Sequence, residues 1–255
     1  MLNLLFLIQL VAVNGPQSKD EFCKLVAKPE QFKELLLDSR NRLAFLNGHY
    51  GFLNSGICWW HSRYERNATM LAVYRPDLPK PTLPQAKKII AQFAKGELFT
   101  KRRVVEIPGY ENLQSFSAEY ELLIIKEMES WQNREVFWGF DWLTRGAGLN
   151  DSMPPAKLWR TMGKLYDQVV NKNRLTHVRM KLDGFTSHAL TIYDMEKNDH
   201  FYVVHYIDSN SHYPERTTVR FGDSQFSAYE GAPYIDREHE FNLATSAQLK
   251  YCGKN

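Results

Sequence analysis

A chain of 255 residues with 44% apolar and 24% charged side chains has the length of one large domain or two small ones and the make-up of a folded globule; disorder and collagen-like repeats are excluded. Thirty-two Lys and Arg against 29 Asp and Glu leave a formal charge of +3, with no run of five like charges, so composition offers no footprint for a nucleic-acid partner. Aromatic residues reach 13%, enough to fill a core or to line a groove for an extended ligand.

The first element, Met1 to Val13, is an uncharged apolar run. It is shorter than the roughly 20 residues that span a bilayer, which argues against a stable membrane anchor, and it fits the apolar region of an export signal with a cleavage zone at Ala12 to Gly15. Residues 1–15 are therefore expected to be a signal peptide, and 16–255 a single domain that is secreted or periplasmic. Three cysteines follow, Cys23, Cys58 and Cys252. An oxidising compartment favours one bridge, and domain termini tend to lie close together, so the expected pair is Cys23 with Cys252 and the remaining thiol is Cys58. In a reducing compartment all three would be thiols.

Further along, Arg63 to Tyr74 sets Tyr64, Met70, Leu71 and Tyr74 along one helical side, so a helix is expected to open near Cys58. Pro76 to Pro84 carries four prolines in nine residues and reads as an extended loop. Helical spacing returns over Gln85 to Lys95 and Leu113 to Trp131, and, after a break at Gly146 to Pro155, over Ala156 to Asn171. Beyond Leu175 the period becomes two. His177 to Leu182 alternates, and Ala189 to Tyr193, Phe201 to Ile207 and Thr217 to Phe221 are rich in β-branched and aromatic residues. The fold class expected is α+β, helical over about 20–172 and strand over about 173–255.

The chemistry concentrates at Asn54 to Ser62, which reads N-S-G-I-C-W-W-H-S. A cysteine at a helix start faces free backbone N–H groups and the positive end of the helix dipole, which lowers a thiol pKa. Gly56 permits a tight turn ahead of it, and Trp59 would exclude water from one side of the sulfur. A thiol nucleophile needs a base. His188, preceded by Ser187, opens one strand; Asp208, followed by Asn210, closes the next. A hairpin turning near Glu196 to Asp199 would make the two neighbours, so that the carboxylate orients the imidazole and the imidazole takes the thiol proton. His200 and His205 fall on opposite faces of a regular strand, and no metal-ligand motif is present, so neither a metal nor a cofactor is expected.

Gly56-Ile57-Cys58-Trp59 resembles the Gly-Ser/Ala-Cys-Trp/Tyr core of the papain-like cysteine peptidases, and His188 follows Cys58 at 130 residues, inside the roughly 130–150 interval of that family. The resemblance covers most of residues 20–225. It implies a papain-like fold, with Cys58 capping a long central helix of a helical lobe and His188 facing it from an antiparallel β lobe across a cleft. By the same resemblance Cys58 is the nucleophile, His188 the base and acid, and Asp208 the orienting group. Three positions depart from the family pattern: Phe52 stands where a glutamine usually donates to the oxyanion, Ser55 replaces a further cysteine, and Asp208 replaces the more usual asparagine. Asn54 is the nearest amide that could serve the oxyanion with the Cys58 N–H. The order Cys, His, Asp also resembles the transglutaminase core, whose Cys-to-His interval is shorter.

The activity implied is that of an exported, monomeric thiol hydrolase acting on a peptide or protein, cell-wall peptide included, through an acyl-enzyme. Ser187, Asn210, Gly56 and Trp59 are the expected substrate contacts. An acyl transferase of transglutaminase type and a non-catalytic secreted binding protein are the alternatives. The cluster Trp131 to Trp142 could wall a groove, and Asn67-Ala68-Thr69 falls within the central helix, where a glycosylation acceptor is out of place.

Overall fold

The computed structural model describes residues 14–48, 56–95, 102–138, 152–182, 187–235 and 238–254, without the side chains of 136–138, 238 and 239. Residues 1–13 of the expected signal peptide, Asn54 and Trp142 lie outside the described residues. The architecture is α+β. Helices α1 (Lys19–Val26), α2 (Gln31–Leu37), α3 (Cys58–Leu71), α4 (Leu83–Ala94) and α5 (Leu113–Trp138) accompany a parallel pair, β1 (Ala72–Arg75) and β2 (Val105–Pro108). Helix α6 (Pro155–Tyr166) and a π turn (Asp167–Asn171) lead to β3 (Thr176–Lys181), β4 (Ser187–Lys197), β5 (Phe201–Asp208), β6 (Pro214–Arg220) and β7 (Ala232–Ile235), before the closing helix α7 (Glu238–Tyr251). The five later strands form an antiparallel sheet in the order β6-β5-β4-β3-β7.

Local chemistry explains several boundaries. The proline-rich loop ends earlier than expected, at Thr82, because Thr82 and Gln85 form a reciprocal cap and Pro84 occupies the first turn of α4, where its missing N–H has no helical partner to lose. The central helix stops at Leu71 instead of running to Tyr74; Ala72 to Arg75 leave it to pair with Val105 to Pro108, a long-range contact invisible to local periodicity. The β4–β5 hairpin turns where expected, with Asn198 Oδ1 accepting from the His200 and Phe201 backbone N–H groups at 2.8 Å each.

Two apolar clusters hold the molecule. One gathers residues from α2 to α5 together with Ala244 and Ala247 of α7; the other gathers α6 (Leu158, Met162, Leu165) with the sheet (Val178, Leu190, Val204, Val219). Both differ from a simple division near residue 172. The amphipathic α6 lays its apolar face on the strands, and α7, absent from the sequence reading, returns to the helices. That return brings Cys252 to Cys23, which are bridged with Cα atoms 5.6 Å apart; Cys58 is free. Among the described residues no helix is long and apolar enough to cross a membrane.

Helix α3 is buried from His61 to Leu71 even though it carries Arg63, Glu65, Arg66 and Asn67. Each polar side chain is matched. Arg63 meets Glu135 of α5 at 2.9 Å, Arg66 pairs with Glu240 of α7, Glu65 accepts from the Leu43 N–H at 2.8 Å, and Asn67 donates to the Phe93 carbonyl at 2.8 Å. Buried charges survive only with such partners, so these contacts fix how α3 sits among its neighbours.

Candidate active site

The start of α3 is built by a turn and two braces. Gly56 has φ +81°, a region that strains any side-chain-bearing residue. Asn47 Oδ1 accepts from the Ile57 N–H at 2.8 Å, and Gln132 of α5 donates from Nε2 to the Gly56 carbonyl at 2.9 Å. Ile57 contributes no side-chain cap, so the first-turn N–H groups beside Cys58 receive none.

From there α3 runs along the first residues of β4. The Cys58 thiol donates to the Ser187 carbonyl at 3.8 Å and the Ser62 hydroxyl donates to the Ala189 carbonyl at 3.4 Å. Four residues of helix advance about 6 Å and two residues of strand about 6.6 Å, so the two contacts repeat in step. Between them lies His188. Leu190 is the residue opposite Asp208 in the β4–β5 register, so His188 sits two residues beyond it, where the Asp208 side chain at the end of β5 reaches the ring. His188 Nε2 and Asp208 Oδ1 are 2.6 Å apart, and Cys58 is near enough to act electrostatically on the same imidazole.

Exposure differs across the three side chains. His188 and Asp208 are 6% and 2% exposed, whereas Cys58 is half-buried. Burial disfavours charge on the imidazole, but hydrogen bonds to Asp208 and Cys58, with the charges of both, outweigh it and raise His188 from 6.5 to about 10. Asp208 is itself held: Oδ1 also accepts from the Asn210 N–H at 2.8 Å, and Oδ2 accepts from the Tyr229 hydroxyl. The Tyr229 ring covers His188 with centroids 4.7 Å apart. A partly exposed sulfur next to a buried imidazole that prefers its proton is an arrangement suited to proton exchange and nucleophilic attack.

The other expected site residues take varied positions. Ser187 contributes its carbonyl to the thiol, and Gly56 shapes the turn. Trp59 packs on the sheet: its ring lies 4.2 Å from that of the buried His177, with the Arg63 and Arg179 guanidinium groups at 5.4 Å and 5.9 Å. Asn210 is exposed and its side chain accepts from Asn47 Nδ2 at 2.9 Å, so it ties the β5 exit loop to the brace of α3. Asn54 is outside the described residues. Asn47 and Tyr229 were not expected at the site, since neither sits in a motif or at a periodic spacing; only the fold brings them there. No family model, curated protein or solved structure matches the chain.

Proposed function

We propose that the protein is a papain-like thiol hydrolase that cleaves an amide or ester bond in a peptide or protein through a Cys58, His188 and Asp208 triad. The observation that carries this reading is the buried 2.6 Å contact between His188 and Asp208, with the half-buried Cys58 thiol against the Ser187 carbonyl next to His188. Attack by the Cys58 sulfur on the carbonyl carbon forms a tetrahedral oxyanion, which the Cys58 backbone N–H at the uncapped start of α3 can receive. The His188 imidazolium gives its proton to the departing amine or alcohol, leaving a thioester on Cys58. Water, deprotonated by His188, then attacks the thioester; the carboxylic acid leaves and the thiol regains its proton. Asp208 keeps the ring in the orientation that serves both steps.

The partial exposure of Cys58 favours this reading over a non-catalytic binding protein, which would gain from a sealed sulfur. The Cys23–Cys252 bridge supports an oxidising compartment, in line with a secreted or periplasmic hydrolase. The test is labelling of the full chain with an epoxysuccinyl peptide. Adduct on Cys58, its loss in Cys58→Ala and a slowing of a hundredfold or more in His188→Ala are expected. Equal labelling of the native chain and His188→Ala would overturn the reading.

A further inference from the structure

The carboxylate that orients His188 is itself oriented, and the residue responsible comes from a part of the chain with no motif. Tyr229 lies in a turn between β6 and β7 that closes on itself through the Phe226 N–H to Gly231 carbonyl bond at 2.7 Å and the Tyr229 N–H to Phe226 carbonyl bond at 3.2 Å. Glu230 adopts φ +46°, uncommon for a residue with a side chain. Gly231 approaches β3 so closely that a Cβ there would meet the Lys181 carbonyl oxygen at 2.5 Å. The buried Phe226 anchors the other side against Tyr206. A turn held this tightly presents its side chain in one direction, onto the His188–Asp208 pair.

We infer that Tyr229 is a positioning residue of the triad: its hydroxyl fixes the Asp208 carboxylate so that Oδ1 points at His188, and its ring keeps water off that hydrogen bond. The inference rests on the proposed hydrolase reading and adds to it a fourth side chain. Without the Tyr229 hydroxyl only the Asn210 N–H, which shares Oδ1 with the imidazole, would hold the Asp208 carboxylate, and the imidazolium would lose support. The ring contact acts on the same pair, holding the imidazole plane against Tyr229. The titratable groups that surround His188 are Cys58 of α3, Asp208 of β5 and Tyr229 of the turn, with Lys181 one register step away on β3.

The test is the pH dependence of Cys58 alkylation by iodoacetate in the full chain. The reagent's carboxylate is drawn to an imidazolium, so its rate falls on the alkaline side where His188 loses its proton. In the native chain this fall is expected toward pH 10. Tyr229→Phe, which keeps the ring and loses the hydroxyl, should move the fall down by about one pH unit, a tenfold loss of proton affinity; Tyr229→Leu, which loses both, should move it further. A purely structural role would lower the melting temperature and leave the position of the fall unchanged. If the native chain shows the alkaline fall and Tyr229→Phe leaves it in place or raises it, the inference about Tyr229 is overturned while the triad stands. If the native chain shows no such fall, the triad reading fails, and the inference with it.

Discussion

At the scale of single residues, His177 and His188 pull in opposite directions. His177 is fully buried on β3 beneath Trp59, and burial, with the nearby Arg66 and Arg63 charges, holds its imidazole well below 6.5. An unfolded chain binds a proton there near pH 6.5 that the folded chain refuses, so stability falls as pH drops below 6.5, by about 1.4 kcal/mol per unit. His188 is raised to about 10, so its contribution is present below pH 6.5 and lost as pH climbs from there through about 10. Urea unfolding at pH 7.5 and 5.5 checks the first statement: His177→Phe, which keeps an aromatic ring against Trp59, should lose about 1 kcal/mol less than the native chain between the two values. An equal loss in both would show that His177 does not refuse the proton.

Among the elements, α3 is where buried charge replaces apolar packing. Glu240 of α7 receives Arg66, Arg63 at 3.4 Å and Arg102 at 3.4 Å; burial opposes its charge, yet the three guanidinium groups hold the carboxyl below the usual carboxylate range. Arg102 feels the opposite balance, lowered to about 10 by burial despite Glu240. Glu240→Ala should cost about 3–5 kcal/mol in chemical denaturation, because three buried cations lose their shared anion, and Glu240→Leu combined with Arg66→Met should recover part of that loss. None of this cluster was legible in the sequence, where Arg63, Glu65 and Arg66 look like an ordinary solvated helix face. Helix α7 was missed for a related reason: Ala244 and Ala247 are its core contacts, and small residues leave little hydrophobic periodicity to detect. Strand β1 continues the helical pattern of Tyr64 and Tyr74 and becomes a strand only through its distant partner β2.

For the whole molecule, the fold is closed at its ends and worked at its middle. The bridge spans 229 residues, and by the chain-entropy argument its removal should cost about 5 kcal/mol. Comparing the native chain with the Cys23→Ala, Cys252→Ala double variant measures this directly; equal denaturation midpoints would contradict it. That pairing could be read from the sequence because it needs only neighbouring termini. The nearness of His188 to Asp208 was legible for a similar reason, since two strands and a short turn carry the full 20-residue separation. The approach of Cys58 was expected only from the resemblance to papain-like spacing. Its physical basis is the matched advance of α3 and β4, together with Asn47, Gln132 and Tyr229, which converge from three separate segments and leave no local trace. Mass spectrometry of the full chain after brief exposure to an activated acyl ester tests the central claim. A single acyl group on Cys58, formed at least a hundredfold more slowly in His188→Ala, is the result expected; acylation scattered over surface lysines, at a rate indifferent to His188, would contradict it.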